Sequence, residues 1–264
     1  MSSSVPETNG SMQRFAGKVV VITGAGGGQG QVAAVRFAEE GAVVVGADIK
    51  AEGFRETQAM VAAAGGTMTG SGTLDLTQSA DVTAWIDEAA REHGGIDIVY
   101  NNAGAFRLGG AATLSPEDWL WTIDRELNQV FYVTRAAWPH LVARGGGVIV
   151  NIGSTAGIVS LNTGIGLAHG AAKGAVISMT QDLANEGGPH NIRAVCISPG
   201  SVESPSTAHF FADPVTRKSM LNPQIIKRLG TPADIVEAAL YVASDSAGFL
   251  TGSNIVIDGG YTSL

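Results

Sequence analysis

Residues 18–48 read KVVVITGAGGGQGQVAAVRFAEEGAVVVGAD, and the reading of this stretch decides the fold. Residues 18–23 form a short run rich in β-branched side chains that meets glycines at once. That is the pattern of a buried parallel strand and not of a helix. Gly24, Gly28 and Gly30 supply the sharp turn that must follow, because glycine accepts positive φ and lets backbone come close to a ligand. From 31 to 40 the apolar residues recur at helical spacing. The first amides of that helix and its dipole face whatever lies over the turn, and a pyrophosphate suits them. Asp48 closes a second strand about twenty residues on, where a dinucleotide-binding unit keeps a carboxylate for ribose hydroxyls.

A chain of 264 residues, 45% of them apolar, can build one large α/β domain with a full core. No linker composition divides it, so 14–264 is expected to be a single domain behind a polar, disordered 1–13. A formal charge of −8 argues against nucleic acid, whose binding needs a basic face, and no polybasic cluster appears for a membrane surface. Apolar runs such as 19–22 are far too short to span a bilayer, and the start MSSSVPETNG has neither a charged n-region nor an apolar h-region. These features point to a soluble cytoplasmic protein whose partner is a small molecule. Cys196 is the only cysteine, so no intrachain disulfide forms, and its context RAVCIS reads as a buried strand. The five histidines are scattered with no ligand spacing, and no metal is expected.

Outward from the opening unit, strand and helix keep alternating. Helices are expected at 52–64 and 79–93, each stopped by a glycine pair, with strands at 67–74 and 96–100. Ser115-Pro116-Glu117-Asp118 combines a capping serine, proline at the first helical position and an acid at the third, so a long helix starts there and runs to about 143. A fifth strand at 148–152, a helix at 168–186 and a sixth strand at 193–198 follow. Residues 199–223 read as an irregular substrate loop, with Phe210 and Phe211 inside it. A last helix opens at Thr231-Pro232-Ala233-Asp234, and 254–260 is a seventh strand. This alternation implies a parallel sheet covered on both faces with right-handed crossovers. Ligands then bind beyond the carboxyl ends of the strands. Those ends are Gly24, Asp48, Asp75, Asn102-Ala103-Gly104, Gly153-Ser154 and Pro199-Gly200, all polar or small.

Several of these sites carry a family resemblance that extends from Gly17 to about Gly260. TGAGGGQG at 23–30 has the spacing G-x-x-x-G-x-G, Asp75-Leu76 follows the third strand and NNAG lies at 101–104. Ser154 follows strand five, PGSVESP occupies 199–205 and IDGG ends the last strand. Together they resemble the short-chain dehydrogenase/reductase family, of its classical type. The resemblance implies a doubly wound Rossmann-type α/β sandwich of three layers, with seven parallel strands in the order 3-2-1-4-5-6-7. It also implies hydride transfer between a nicotinamide cofactor and a C–O or similar centre. Its cofactor contacts fall here on Gly24, Gly28, Gln29, Gly30, Asp48, Ile49, Asp75, Leu76, Asn102, Ala103, Gly104, Lys173, Pro199, Gly200, Val202 and Ser204. Asp48 favours NAD(H) over NADP(H), because its carboxylate suits both ribose hydroxyls and repels a 2′-phosphate, while Gln29 and Ile49 hold the positions that usually receive the phosphate. The resemblance further implies a homodimer or homotetramer.

The catalytic positions depart from the family's pattern, which is Tyr-x-x-x-Lys on the helix after strand five, a serine upstream and an asparagine on the long helix. Lys173 and Ser154 match the lysine and the serine. The tyrosine is expected at Gly170, and counting back from Val130-Phe131 places Glu126 at the asparagine, with Asn128 facing another way. Loss of the phenol removes a proton donor whose typical worth is about 10²- to 10⁴-fold in rate. Two functions follow. In one, Gly170 leaves space and Glu126 brings a carboxyl group into the cleft: ionised, it balances an iminium charge and suits reduction of an imine, and protonated, it takes the tyrosine's place as acid. In the other, the chain is a disabled relative that binds cofactor without normal turnover. His169, beside Gly170, reads as polar lining of the cleft, with a stand-in base as the alternative, and Phe106, Trp119, Phe210 and Phe211 as candidates for an apolar or aromatic substrate pocket.

Overall fold

The computed structural model describes residues 13–160, 166–205 and 207–263, without the side chains of His209 and Phe210. The expected disorder at 1–13 falls, apart from Gln13, outside these residues, as does the Phe210 side chain. Seven parallel strands form one sheet in the order β3-β2-β1-β4-β5-β6-β7, as the family resemblance implies. They are β1 (Val19–Thr23), β2 (Val43–Ala47), β3 (Thr67–Ser71), β4 (Ile98–Asn101), β5 (Gly147–Ile152), β6 (Ile192–Pro199) and β7 (Asn254–Ile257). Strand β1 lies between β2 and β4, with Val20 opposite Val44 on one side and Ile98 on the other. Strand order therefore reverses between β1 and β4, and a crevice opens at their carboxyl ends.

Alternation along each strand sends side chains to two cores. Val20 and Ile22 pack with Val44, Tyr100, Val150 and Ile197 against α1 (Gly28–Glu39) and α9 (Pro232–Ala243). Val19 and Val21 pack with Val45, Val99 and Ile149 against α3 (Ser79–His93), α5 (Gln129–Ala143) and α6 (Leu167–Gly187). Both faces are covered, which is why the strands read as continuous apolar runs. The remaining helices are α2 (Ala51–Ala63), α4 (Pro116–Ile123), α7 (Ala208–Phe211) and α8 (Pro214–Leu221).

The helix boundaries follow their local chemistry. The Ser115 side chain accepts from Asp118 N at 3.0 Å, and Thr231 and Asp234 cap each other's backbone at the start of α9. Two elements differ from the sequence reading. The segment expected to be irregular at 199–223 contains α7 and α8, the latter opened by Asp213, whose side chain accepts from Thr216 N at 2.9 Å. Such short helices have too few residues to show a periodicity. The long helix starts and ends as expected but is broken by a π-turn at Asp124–Asn128, between α4 and α5. Turns of this kind recur at functional sites, and this one carries Glu126.

Among the described residues no helix is long and apolar enough to cross a membrane. Cys196 is buried on β6, and desolvation raises its thiol pKa despite the neighbouring Ser198 hydroxyl at 3.9 Å.

Candidate active site

The glycine turn is built for close approach of backbone. A Cβ on Gly30 would lie 2.0 Å from the Gly24 carbonyl oxygen, and Gly24 itself has φ of 67°. Gly28 also takes positive φ, and a Cβ on Gly27 would meet open space, so the turn presents bare backbone at the mouth of α1. Asp48 closes the far side. Its Oδ2 accepts from Gly26 N at 2.8 Å and its Oδ1 from Lys50 N at 2.9 Å, so the carboxylate is fixed beside the turn while Ile49 is exposed. An open glycine cradle with a fixed carboxylate at the tip of β2 fits a dinucleotide, the turn facing the pyrophosphate and Asp48 the ribose.

Several of the other expected cofactor residues brace the crevice. Asn102 braces it: its side-chain amide donates to Thr23 O at 3.0 Å, and Ala103 N donates to the Thr23 hydroxyl at 3.0 Å. The NNAG segment thereby clamps the end of β1. Asp75 accepts from Thr77 N at 3.0 Å, and Leu76 is buried. Partial burial works against the Asp75 charge, but the Thr77 amide and hydroxyl, with Arg125 beyond them, hold it below its usual range. Pro199 ends β6, and a Cβ on Gly200 would meet Asp258 Cα at 2.8 Å. Val202 is buried and bridges to Gly230, and the Thr207 hydroxyl ties its carbonyl to Ser204 N. Gln29 keeps its side-chain oxygen buried without a hydrogen-bond partner in the same turn.

At the ends of β4 and β5 the catalytic candidates converge. Lys173, only 5% exposed, donates to Ile152 O at 2.8 Å. Beneath it Asn101, Asn151, Thr134 and Thr180 form a buried chain of hydrogen bonds across β4, β5, α5 and α6. Ser154 follows β5 and caps a short turn by accepting from Ala156 N at 3.1 Å. Glu126, 2% exposed, points into the same place: its Oε1 lies 3.5 Å and Lys173 Nζ 3.7 Å from where a Gly104 Cβ would be. Gln129 ties this π-turn to the crevice, its amide bonding both Arg125 O, within the turn, and Ala103 O at 2.7 Å. Asn128 faces elsewhere, donating to Asp124 at 2.7 Å.

Gly170 requires correction. Four residues back from Lys173 is His169, so the family's tyrosine falls there and not on Gly170. The structure agrees with that count. A Cβ on Gly170 would meet the Ala156 carbonyl oxygen at 2.9 Å, so this glycine packs α6 against the turn after Ser154 and opens no space in the cleft. His169 instead shares a helix face with Lys173, and it stands between the two other candidates. Its Nδ1 is 2.7 Å from Glu126 Oε2 and its Nε2 is 3.3 Å from Ser154 Oγ. The ring stacks on Phe106 at 4.3 Å. The sequence reading takes this histidine as polar lining, with a stand-in base as the alternative, and does not place it at the tyrosine position that the motif spacing gives it. Of the other pocket candidates, Phe211 is buried and Trp119 half-buried.

A second concavity lies at the opposite, amino ends of the strands and is lined by Arg14, Lys18, Asp97 and Arg144. Its charges satisfy one another, Asp97 lying 3.0 Å from Arg144 and 3.6 Å from Lys18. Among the described residues no group of three or more His, Cys, Asp or Glu side chains is placed to hold a metal ion.

Comparison with known proteins gives a consistent result. A family profile described as enoyl-(acyl carrier protein) reductase matches residues 24–262. The chain is 34% identical over 251 residues to the cyclohexanol dehydrogenase of Acinetobacter sp. (strain SE19), covering 95% of this chain and 97% of the relative. A 7α-hydroxysteroid dehydrogenase solved with NADH and 7-oxo glycochenodeoxycholic acid matches with a TM-score of 0.89 and 30% identity, over 96% of this chain and 97% of that one. An Agrobacterium tumefaciens chain with bound NADP, provisionally named a 2-deoxy-D-gluconate 3-dehydrogenase, matches with a TM-score of 0.86 and 31% identity, over 97% and 100% of the two chains. The profile spans most of the sequence, and the fold and the glycine turn agree with it: the chain belongs to the short-chain dehydrogenase/reductase family of oxidoreductases.

Proposed function

We propose that this chain is an NAD(H)-dependent oxidoreductase moving a hydride between nicotinamide and the carbinol or carbonyl carbon of a small, largely apolar alcohol or ketone. The observation that carries the reading is the convergence of Ser154 and Lys173 at the ends of β5 and α6, across the crevice from the glycine turn and Asp48. Bound nicotinamide supplies or accepts the hydride. Lys173, anchored on Ile152 O, brings positive charge to the base of the cleft and orients the nucleotide's ribose. The Ser154 hydroxyl, whose oxygen already accepts from Ala156 N, directs its own hydrogen toward a substrate oxygen or a neighbouring acceptor.

Asp48 supports NAD over NADP, since a fixed carboxylate beside the ribose repels an added phosphate. Exposed Phe106, Ile158, Val159 and Leu167 around the cleft suit an apolar substrate, as does the cyclohexanol dehydrogenase relative. Exposed Leu120 and Phe131 along α4 and α5, with Phe249 and Val256 near β7, suit assembly into a homo-oligomer of one-domain subunits spanning 14–264.

Imine reduction is the second reading. It gains from Glu126, a buried carboxylate at the cleft base that could balance an iminium charge, but that carboxylate is engaged by His169. The deciding experiment follows NADH and NADPH oxidation with cyclohexanone-type ketones and their cyclic imine analogues side by side. Ketone turnover with NADH supports the carbonyl reading, and imine-only turnover replaces it with the second. NADH binding without hydride transfer to any substrate identifies a disabled relative.

A further inference from the structure

We infer that His169 is the proton donor and acceptor of the hydride-transfer reaction, with Glu126 as its positioning residue. The inference deepens the function proposed above and rests on it. Three side chains from three separate segments meet here: Ser154 after β5, His169 on α6 and Glu126 on the π-turn. They lie in a line, with His169 Nδ1 at 2.7 Å from Glu126 Oε2 and Nε2 at 3.3 Å from Ser154 Oγ. A carboxylate only accepts hydrogen bonds, so Nδ1 carries the hydrogen on the Glu126 side. The neutral ring then presents its Nε2 lone pair to Ser154 and to the cleft. That is the tautomer a base needs, held by a carboxylate that also stabilises the ring once it is protonated.

The surroundings keep the ring in this pose. Phe106 stacks on it from the loop after β4, at 4.3 Å between centroids, and the imidazole side chain is only 12% exposed. The charged groups facing it are Glu126 from the π-turn and Lys173 one turn further along α6. Lys173 donates to Ile152 O at 2.8 Å, so the ammonium is held at the end of β5, and the group beside Nε2 is the Ser154 hydroxyl. Glu126 is in turn held by the π-turn that Gln129 ties to Ala103.

The proton balance is direct. In alcohol oxidation the C–H electron pair leaves as hydride to the oxidised nicotinamide, and the hydroxyl proton passes to His169 Nε2. The products are the ketone, the reduced cofactor and an imidazolium that releases its proton to solvent. In reduction, the imidazolium Nε2–H protonates the developing alkoxide while the hydride arrives at carbon. An imidazole thus stands where the family pattern has a phenol, and the two differ by about 3.5 pH units in their ordinary titration.

The test uses the whole 264-residue chain in two experiments. In the first, kcat is followed against pH for the wild type, His169→Phe, His169→Tyr and Glu126→Gln, with NADH affinity and thermal melts confirming that each variant is folded. His169→Phe keeps an aromatic ring against Phe106 and is expected to lose about 10²- to 10⁴-fold in kcat with NADH affinity retained. His169→Tyr is expected to regain turnover with its pH limb moved upward by at least about one unit. Glu126→Gln is expected to lose about ten- to a hundredfold. The second experiment needs no cofactor: nitrogen-15 NMR of the histidine-labelled protein should show the Nδ1–H tautomer at His169, giving way to a mixture in Glu126→Gln.

Full activity with an unchanged pH limb in His169→Phe, or an Nε2–H tautomer in the wild type, overturns the inference. A wild type that binds NADH and transfers no hydride overturns the functional reading and the proton role together. The NMR result then still reports whether Glu126 sets the ring.

Discussion

Asp48→Asn separates the two roles given to this carboxylate. Its Oδ2 accepts from Gly26 N at 2.8 Å and its Oδ1 from Lys50 N at 2.9 Å, so both oxygens are engaged. An asparagine offers one acceptor oxygen, so one of these amides turns to water. The site is partly open, and the cost is about 1 kcal/mol, equivalent to about 2–3 °C in melting temperature for a chain of this size. The electrostatic effect is larger. A charge of a 2′-phosphate about 5 Å from the carboxylate is opposed by about 1.7–3.3 kcal/mol at an effective dielectric of about 20–40. Removing the carboxylate's charge is therefore expected to shift the ratio of NADPH to NADH affinity by about 15- to 200-fold toward NADPH. Titration of each cofactor by its own fluorescence, on wild type and variant, measures that ratio directly. A variant that melts within a few degrees of the wild type yet keeps the wild-type ratio refutes the reasoning, because Asp48 then does not sense the 2′ position.

Gly30→Ala places a Cβ 2.0 Å from the Gly24 carbonyl oxygen and 2.7 Å from the Asn102 amide, where backbone cannot easily yield. Stability is expected to fall by about 3 kcal/mol, and NADH affinity by more than about tenfold, in melts and fluorescence titrations. Asp97→Ala removes the acceptor for Val19 N at 2.9 Å and the partner of Arg144 at the far end of the sheet. The expected result is a loss of about 2–3 kcal/mol in urea unfolding with NADH affinity unchanged. Asp234 is held well below the usual carboxylate range, first by Arg228 and then by the Thr231 amide. A depressed folded-state pKa gives stability that is present above the unfolded value, about 4, and is lost as pH falls through the folded one. Asp234→Asn is therefore expected to be about 0.5–1 kcal/mol less stable than wild type at pH 7, and the gap should close steadily in urea melts below about pH 4.

Much of this protein was determined by the sequence alone. The β-branched run at 18–23, the glycines after it and Asp48 specify a strand, a turn and a strand end through local backbone preferences, and those preferences act within a few residues. Repetition of that unit is enough to imply a parallel sheet, because parallel neighbours need a crossover helix each time. Caps such as Ser115 and Thr231 announce helix starts for the same local reason. Helix α8 escaped that reading because eight residues show little periodicity, although Asp213-Pro214 carried its capping signal. The π-turn had no signal, since its hydrogen-bond pattern depends on what α4 and α5 pack against. The proposed proton-transfer site lies at this boundary. Spacing from Lys173 was sufficient to reach His169, but a lone histidine near a helix start has no specified partner in one dimension. Only the tertiary structure brings Glu126, forty-three residues earlier, to its Nδ1, and Ser154, fifteen earlier, to its Nε2. The same packing turns Gly170 toward Ala156 and out of the cleft. Which nitrogen faces the Glu126 carboxylate, and which faces the Ser154 hydroxyl, is set by the meeting of β5, α6 and the π-turn, and no local preference of the chain encodes it.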